Sequence, residues 1–387
     1  MFKRELIAAL LAAAEGYPVL SVLGPRQSGK TTLVRTTFPG KPYVTLENPD
    51  VRARAIEDPR GFLSQFSNGA ILDEVQRTPE LLSYIQGIVD EHQTPGEFIL
   101  TGSYQSELRQ GISQSLAGRT AIFKLLPLTL SELGQSAKPF DLWKEILTGA
   151  YPRLREKNLD ISLFHSSYLA TFLERDLRAQ IQVRDLNQFR DFLRLLAGRT
   201  GQLVNYTDLG NSVGASAATV RHWISVLEAS WIVFVLPPYF ENFSKRVIKT
   251  PKVYFTDTGL ACALLGIEST TQVSRDPIAG GLVENWFIVE YMKRRWNQGR
   301  DAHIHFFRDR HGSEVDLLIT RGPDLVAIEI KSSKTFHTSH LKGLKRFQSL
   351  VTDRKVISYL AYGGDERGSV SGVELIGLND IEALLNE

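Results

Sequence analysis

An eight-residue segment near the start of the chain constrains the fold more than any other part of the sequence. Residues 24–31 read Gly-Pro-Arg-Gln-Ser-Gly-Lys-Thr and match the pattern G-x-x-x-x-G-K-[ST] at every fixed position. An apolar run at residues 17–23 precedes the segment, and residues 31–37 have a helical pattern. This context predicts a strand, a tight glycine loop and a helix, because such a loop turns its backbone N–H groups toward a bound phosphate.

The loop supplies the candidate ligands of a nucleoside triphosphate. We expect Lys30 to reach the β- and γ-phosphates and the Thr31 hydroxyl to bind Mg²⁺. ATP and Mg²⁺ are therefore the predicted cofactors. The remaining residues expected to line the phosphates are Gly24, Pro25, Arg26, Gln27, Ser28, Gly29 and Thr32.

Short apolar runs alternate with helical segments over the first third of the chain. The runs lie at residues 17–23, 42–46, 69–72, 97–101 and 121–125. Buried strands that alternate with helices predict an α/β fold whose parallel sheet is covered on both faces. The carboxyl ends of parallel strands then meet at one edge, where ligands bind.

Polar residues at the ends of these runs complete a hydrolytic site. Asp73 is the expected metal-binding carboxylate, and Glu74 is the expected base that polarises the attacking water. Ser103, together with Thr101, is expected to contact the γ-phosphate or the water. Arg119 is the first candidate for an arginine that stabilises the transferred phosphate, and Arg109 is the second. Whether Arg119 acts within its own chain or in a neighbouring copy stays open, and we expect a homo-oligomer.

A second group of charged residues lies in the last third of the chain. Asp316 opens an apolar run, and Glu329 and Lys331 stand two residues apart in another, so they share one face of a strand. Two acids and a lysine on adjacent strands can hold Mg²⁺ and activate water for phosphodiester hydrolysis. Glu284, on a preceding predicted helix, is a further candidate metal ligand. An active nuclease, an inactive nuclease-like fold and an unrelated sheet all fit this pattern.

The middle of the chain is predicted to be mainly helical. Helical segments at residues 206–210 and 217–229, followed by strand-like runs at 231–236 and 252–255, predict a winged helix-turn-helix. Such a module contacts either DNA or protein. The polar and basic residues that would touch DNA here are Ser216, Thr219, Arg221, His222, Lys245, Arg246, Lys249 and Lys252, and a later helix adds Lys342, Lys345 and Arg346.

Composition limits the class of protein. The 387 residues predict two or three domains, and changes of pattern divide the chain at 1–135, 136–188, 189–279 and 280–387. The net charge of +2 excludes bulk charge as the source of nucleic-acid or membrane binding. A single cysteine, Cys262, excludes an internal disulfide. No apolar run approaches the roughly 20 residues of a membrane span, so we expect a cytoplasmic protein without a membrane partner.

Many segments resemble the prokaryotic AAA-type ATPases that carry a C-terminal domain of unknown function, DUF4143. In the first half they are residues 24–31, 72–74, 100–103, 116–119, 126–128, 131–133 and 149–152, and in the second half 168–176, 201–205, 254–260 and 281–331. The resemblance implies a P-loop NTPase core with an AAA+/ASCE-like parallel sheet, a helical and winged-helix middle, and a restriction-endonuclease-like α/β domain at the C-terminus. It also implies ATP hydrolysis and DNA as a partner.

The expected function is Mg²⁺-dependent ATP hydrolysis coupled to DNA binding or processing, with metal-dependent nuclease activity of the C-terminal domain left open. Two alternatives remain. One is a nucleotide-gated protein-interaction switch with a catalytically inactive nuclease-like scaffold. The other is a DNA-binding regulator that uses ATP only for assembly.

Overall fold

A five-stranded parallel sheet forms the first third of the chain, in a computed structural model that describes residues 2–103, 114–134, 140–172, 186–239 and 248–384. Its strands are β1 (Val19–Leu23), β2 (Tyr43–Thr45), β3 (Ile71–Asp73), β4 (Phe98–Gly102) and β5 (Thr120–Lys124). Their order is β2-β3-β4-β1-β5, so the strand before the phosphate loop lies between β4 and β5. The carboxyl ends of all five strands meet at one edge of the sheet.

Helices cover both faces of this sheet. Those described here are α1 (Ile7–Ala14), α2 (Lys30–Thr37), α3 (Pro49–Glu57), α4 (Pro59–Ser64) and α5 (Leu81–His92). Side chains alternate along β1, so Leu20 and Val22 pack with residues of α1 and α2, whereas Val19 and Leu23 join the core on the opposite face. Burial on both faces explains why these strands are continuous apolar runs in the sequence.

The middle of the chain consists of helices and a two-stranded antiparallel ribbon. The ribbon pairs β6 (Val233–Leu236) with β7 (Lys252–Phe255). The helices are α6 (Leu142–Thr148), α7 (Pro152–Lys157), α8 (Ile161–Phe172), α9 (Leu186–Ala197), α10 (Tyr206–Val213), α11 (Ala217–Ala229), α12 (Thr258–Leu265) and α13 (Thr270–Arg275). Ser216 starts α11 by accepting the Thr219 backbone N–H at 3.0 Å, a typical N-cap.

A long helix and a six-stranded mixed sheet form the last third. The helix is α14 (Ala279–Asn297), and α15 (Lys342–Leu350) crosses between two of the strands. The strands are β8 (Ile304–Arg308), β9 (Glu314–Arg321), β10 (Asp324–Lys331), β11 (Val356–Tyr362), β12 (Gly368–Val370) and β13 (Val373–Gly377), in the order β12-β13-β11-β10-β9-β8. Strands β8, β9 and β10 are antiparallel, whereas β10, β11 and β13 run parallel.

One apolar core joins the three regions. It includes Phe98 of the first sheet, Trp223 of the middle helices and Ile328 of the last sheet. Backbone bonds also attach the segments that flank the ribbon to the edge strand β8, including Tyr239 N–H to Phe306 O at 2.8 Å. The regions are therefore held together by shared burial and by hydrogen bonds. Among the helices in the described part of the chain, none is long and apolar enough to cross a membrane.

Candidate functional site

The phosphate loop joins β1 to α2 through unusual backbone conformations. Gln27 (φ 61°) and Gly29 (φ 95°) are left-handed, which bends the chain sharply around the loop. A methyl group on Gly24 would lie 2.0 Å from the Leu125 carbonyl oxygen, so glycine is required beside the end of β5. Helix α2 begins directly after Gly29, and its positive end faces the loop. The loop therefore has the geometry of an anion-binding site.

Lys30 and Ser28 face the inside of this loop. Lys30 Nζ donates to the carbonyl oxygens of Gly24 at 3.0 Å and Pro25 at 2.8 Å. Burial lowers the pKa of Lys30 to about 8, although nearby carboxylates oppose the shift. The Ser28 hydroxyl is buried and has no hydrogen-bond partner among the described residues. A bound phosphate would offer oxygen acceptors to both side chains.

Asp73, at the end of β3, accepts three hydroxyl groups. Thr31 Oγ1 donates to its Oδ2 at 3.0 Å, and the Tyr43 hydroxyl donates to the same oxygen at 2.7 Å. Thr101 Oγ1, from β4, donates to Oδ1. The paired oxygens of Thr31 and Asp73 beside the phosphate loop are hard ligands, which is the chemistry that Mg²⁺ prefers. These residues fit the metal predicted from the sequence.

Glu74 directly follows the metal-binding candidate and is held by two donors. Ser103 Oγ donates to its Oε1 at 3.0 Å, and the Gln76 side-chain amide donates to Oε2. The backbone of Glu74 is left-handed (φ 59°), a conformation that a non-glycine residue keeps only where its surroundings hold it. Glu74 and Ser103 both line the cleft above the phosphate loop.

This cleft has a volume of about 550 Å³, within the range of ordinary small-molecule sites. Arg26, Gln27, Lys30 and Thr32 line it from the loop side. The opposite wall comes from α7 and α8 of the middle region, through Pro152, Arg153, Glu156, Tyr168 and Thr171. The sequence analysis missed this wall, because its residues are more than a hundred positions from the loop and form no local motif.

Arg4 is a second residue that the sequence analysis did not assign to the site. Its side chain is buried and donates to the Ser28 carbonyl oxygen at 2.7 Å and to the Leu126 carbonyl oxygen at 2.8 Å. Its Nε forms a buried ion pair with Glu132 at 3.0 Å. The segment before α1 therefore supports the phosphate loop from outside, although the Lys-Arg pair in the sequence resembles an ordinary charged terminus.

Arg119 lies far from the phosphate loop of its own chain. It precedes β5 at the amino end of the sheet, where its carbonyl oxygen accepts the Val19 N–H, whereas the loop follows the carboxyl end of β1. Its half-buried guanidinium pairs with Asp90 of α5. The structure thus does not bring Arg119 together with Lys30, Asp73 and Glu74. Arg109, the second candidate, lies outside the described residues.

The charged residues of the last third do come together. Lys331 Nζ lies 2.6 Å from Glu329 Oε1 and 3.5 Å from Asp316 Oδ2, across the β9–β10 pair. Glu284 of α14 joins them, and Glu314, which the sequence analysis did not select, offers a carboxylate oxygen within 4.8 Å of those of Glu284 and Asp316. Burial raises the pKa values of Glu284 and Glu329 above those of ordinary carboxyl groups.

Lys252 corrects one expectation from the sequence. The analysis placed it among the residues that touch DNA, but the side chain is 2% exposed. Its Nζ lies 2.7 Å from Glu284 Oε1 and also pairs with Glu314. Burial opposes the charge, but the surrounding carboxylates outweigh this effect and raise the pKa of Lys252. A lysine of the ribbon therefore lies inside the carboxylate cluster of the last region.

The other candidates for DNA contact differ in exposure and in the contacts that they make. Arg221 and His222 are exposed on α11, whereas Ser216 caps that helix. On α15, Arg346 Nε lies 3.5 Å from Asp309 Oδ2. Lys245 and Arg246 lie outside the described residues.

The fold and the phosphate cleft define an AAA-type P-loop ATPase, and comparison with known proteins agrees. The model of a family described as an AAA domain matches residues 16–134. Models of two domains of unknown function, DUF8612 and DUF4143, match residues 139–271 and 279–381.

Related proteins align with most of the chain and show the family to which it belongs. An uncharacterised protein of Mycobacterium tuberculosis is 34% identical over 338 residues, which cover 86% of this chain and 74% of the relative. An uncharacterised protein of Methanocaldococcus jannaschii is 22% identical over 72% of this chain and 64% of its own length. The chain belongs to the family of AAA-type ATPases with a C-terminal DUF4143 domain. A Walker-type ATPase of Pyrococcus abyssi, at 17% identity and a TM-score of 0.44, covers 68% of this chain and 96% of its own, a similarity too weak to support an argument.

Proposed function

We propose that this protein hydrolyses ATP with Mg²⁺ and couples the hydrolysis to DNA binding or processing. The proposal rests on the fact that two regions of the chain form the nucleotide cleft. One wall is the phosphate loop and the other wall is formed by α7 and α8 of the middle region. A nucleotide that contacts both walls favours one arrangement of them, and loss of the γ-phosphate changes that preference.

The roles of the residues follow from their positions. Lys30 binds the β- and γ-phosphates, and Thr31 and Asp73 would hold Mg²⁺, which neutralises phosphate charge. Glu74 orients the attacking water and accepts its proton, while Ser103 fixes the Glu74 carboxylate. Arg153 is exposed on the wall opposite the phosphate loop. It is the candidate on that wall for stabilising the negative charge of the transferred phosphate.

A path for coupling leads from the cleft region to the last third. After β5, the Leu128 carbonyl oxygen accepts a hydrogen bond from Lys293 Nζ at 3.0 Å, and the Leu130 N–H donates to Glu290 at 2.7 Å. Both side chains belong to α14, which packs against β10. A shift of the ATPase region would thus be carried to the C-terminal sheet by a rigid helix.

DNA is the proposed partner, on the basis of Arg221 and His222, which are exposed on α11. The test is ATP turnover with no DNA, with single-stranded DNA and with double-stranded DNA, followed by inspection of the recovered DNA for cuts. We expect DNA to raise turnover several-fold and Arg221→Glu to remove the stimulation without changing basal turnover. The control Arg275→Glu changes an exposed arginine of α13 and keeps the stimulation. Any cutting should disappear in Asp316→Ala while ATP turnover remains.

A nucleotide-gated protein-interaction switch is the second candidate, and the position of Lys252 favours it. A lysine among the carboxylates satisfies their charge without a metal, as in a nuclease-like scaffold that does not cut. This candidate predicts that neither single-stranded nor double-stranded DNA changes ATP turnover. It also predicts that the DNA is intact after incubation. The third alternative, a DNA-binding regulator assembled by ATP, predicts DNA binding that depends on ATP but not on its hydrolysis.

A further inference from the structure

The carboxylate cluster of the last region contains a cation supplied by another region. Lys252 starts β7 of the ribbon, and its side chain is 2% exposed. The ammonium group pairs with Glu284 of α14 and Glu314 of β9, and it lies 5.4 Å from the centre of the Phe306 ring. Such complete burial of a lysine is costly unless opposite charges surround it.

The carboxylates around this lysine converge on one another. Glu284, Glu314 and Asp316 each offer an oxygen within 4.8 Å of the others. Glu329 is a fourth carboxylate at the edge of the cluster. Its Oε2 is buried and has no hydrogen-bond partner among the described residues. Three convergent carboxylate oxygens, with an unsatisfied oxygen of Glu329 beside them, are suited to Mg²⁺ or Mn²⁺.

Two lysines neutralise opposite sides of the carboxylate cluster. Lys331 pairs with Glu329 of β10 and Asp316 of β9, so it neutralises that side of the cluster. Lys252 is the buried cation of the other side, toward α14. Its Nζ contacts Glu284 and Glu314, two of the three residues whose oxygens converge, and the same oxygens cannot hold both an ammonium group and a metal ion at full strength.

We propose that Glu284, Glu314 and Asp316 form a divalent-cation site that Lys252 occupies, so that metal binding and the seated ribbon exclude one another. This inference deepens the DNA-processing part of the proposed function and is independent of ATP hydrolysis. Movement of the ribbon would withdraw Lys252 and expose the carboxylates, so the ribbon would control metal binding. The ribbon shares one apolar core with α7 and α8, which line the nucleotide cleft. A change in the cleft would therefore reach the ribbon and the carboxylate cluster through this core.

The test removes the charge of Lys252 and replaces it with a metal ion. Lys252→Met keeps most of the side-chain volume but leaves the carboxylates without their cation. We expect Mn²⁺, added without nucleotide, to raise the thermal unfolding midpoint of this variant by several degrees, and to change that of the wild type little. Lys249→Met, the same substitution at an exposed lysine three residues earlier, should behave as the wild type.

Two further variants locate the metal. Lys252→Met combined with Asp316→Asn should lose the Mn²⁺ response, whereas Lys252→Met combined with Asp73→Asn should keep it, because Asp73 belongs to the nucleotide cleft. If Lys252→Met does not fold in metal-free buffer, refolding with Mn²⁺ should restore soluble protein, and the Asp316→Asn double variant should not recover.

Three results would overturn the proposal. One is no Mn²⁺ response of Lys252→Met, or no recovery on refolding with Mn²⁺. Another is equal stabilisation by KCl at the same ionic strength, which would mean simple screening of the carboxylates. The last is a wild-type response as large as that of Lys252→Met and dependent on Asp316, which would mean that Lys252 does not compete. None of these results depends on ATP turnover, so they separate this inference from the proposed ATPase function.

Discussion

Lys30 has the most direct effect of any single residue on nucleotide binding. Its Nζ is buried in the phosphate loop and donates to the carbonyl oxygens of Gly24 and Pro25, which a phosphate can replace. We expect Lys30→Ala to weaken ATP binding by at least about 100-fold, the effect of losing a charge-assisted contact of about 3 kcal/mol. Fluorescent-nucleotide titration measures this loss, and the exposed Lys144→Ala serves as control. Unchanged ATP turnover in Lys30→Ala would disprove the assignment of the loop.

Glu74 should separate binding from hydrolysis. Asp73, Thr31 and Lys30 remain in Glu74→Gln, so we expect ATP to bind with nearly normal affinity. Turnover should fall by about 10²- to 10⁴-fold, because the water loses its general base. Binding and single-turnover hydrolysis are measured on the same variant, with the exposed Glu80→Gln as the matched control. Normal turnover would place the base elsewhere, and loss of binding would make Glu74 a structural residue.

At the scale of elements, Asp257 connects two regions. Its carboxylate starts α12 by accepting the Gly259 N–H at 3.0 Å, and it accepts the Ala150 N–H at 2.7 Å from the segment before α7. Both groups are buried, so Asp257→Ala removes a helix cap and leaves a buried donor without a partner. We expect the free energy of unfolding to fall by about 3 kcal/mol.

The control for this prediction is an exposed cap of the same kind. Ser216→Ala removes the side chain that starts α11 at the surface and should cost about 1 kcal/mol. Urea unfolding followed by circular dichroism compares the two variants. A smaller loss for Asp257→Ala than for Ser216→Ala would show that the Ala150 contact adds no stability.

For the whole molecule, the position of Arg119 leads to a prediction about assembly. Its distance from the phosphate loop leaves a neighbouring copy as the site it can serve. We expect ATP turnover per molecule to rise with protein concentration and Arg119→Ala to be inactive. Mixing Arg119→Ala with Lys30→Ala should restore activity, because one variant keeps an intact cleft and the other keeps the arginine.

Sedimentation with and without ATP would show the accompanying change in mass. Arg54→Ala, at an exposed arginine of α3, is the control and should retain full turnover without a partner. A mixture no more active than the sum of its two components would rule out a contribution of Arg119 to a neighbouring site.

The sequence by itself determined the local parts of this protein. The phosphate loop, the parallel strands and α11 could be predicted because each depends on residues close together in the chain: glycine conformations, apolar runs and helical periodicity. Strands β12 and β13 were missed, because they are short and lie at or near the edge of the sheet. The pairing of Glu329 with Lys331 also followed from their spacing on one strand.

Only the tertiary structure decided which distant groups meet. It placed Arg4 behind the phosphate loop, Arg153 across the cleft and Lys252 among the carboxylates. None of these positions has a local signature, because a charged side chain is identical in sequence whether it is solvated or buried in an ion pair. Burial of charge is stable only when chain segments far apart supply the opposite charge, and that depends on how the sheets and helices pack.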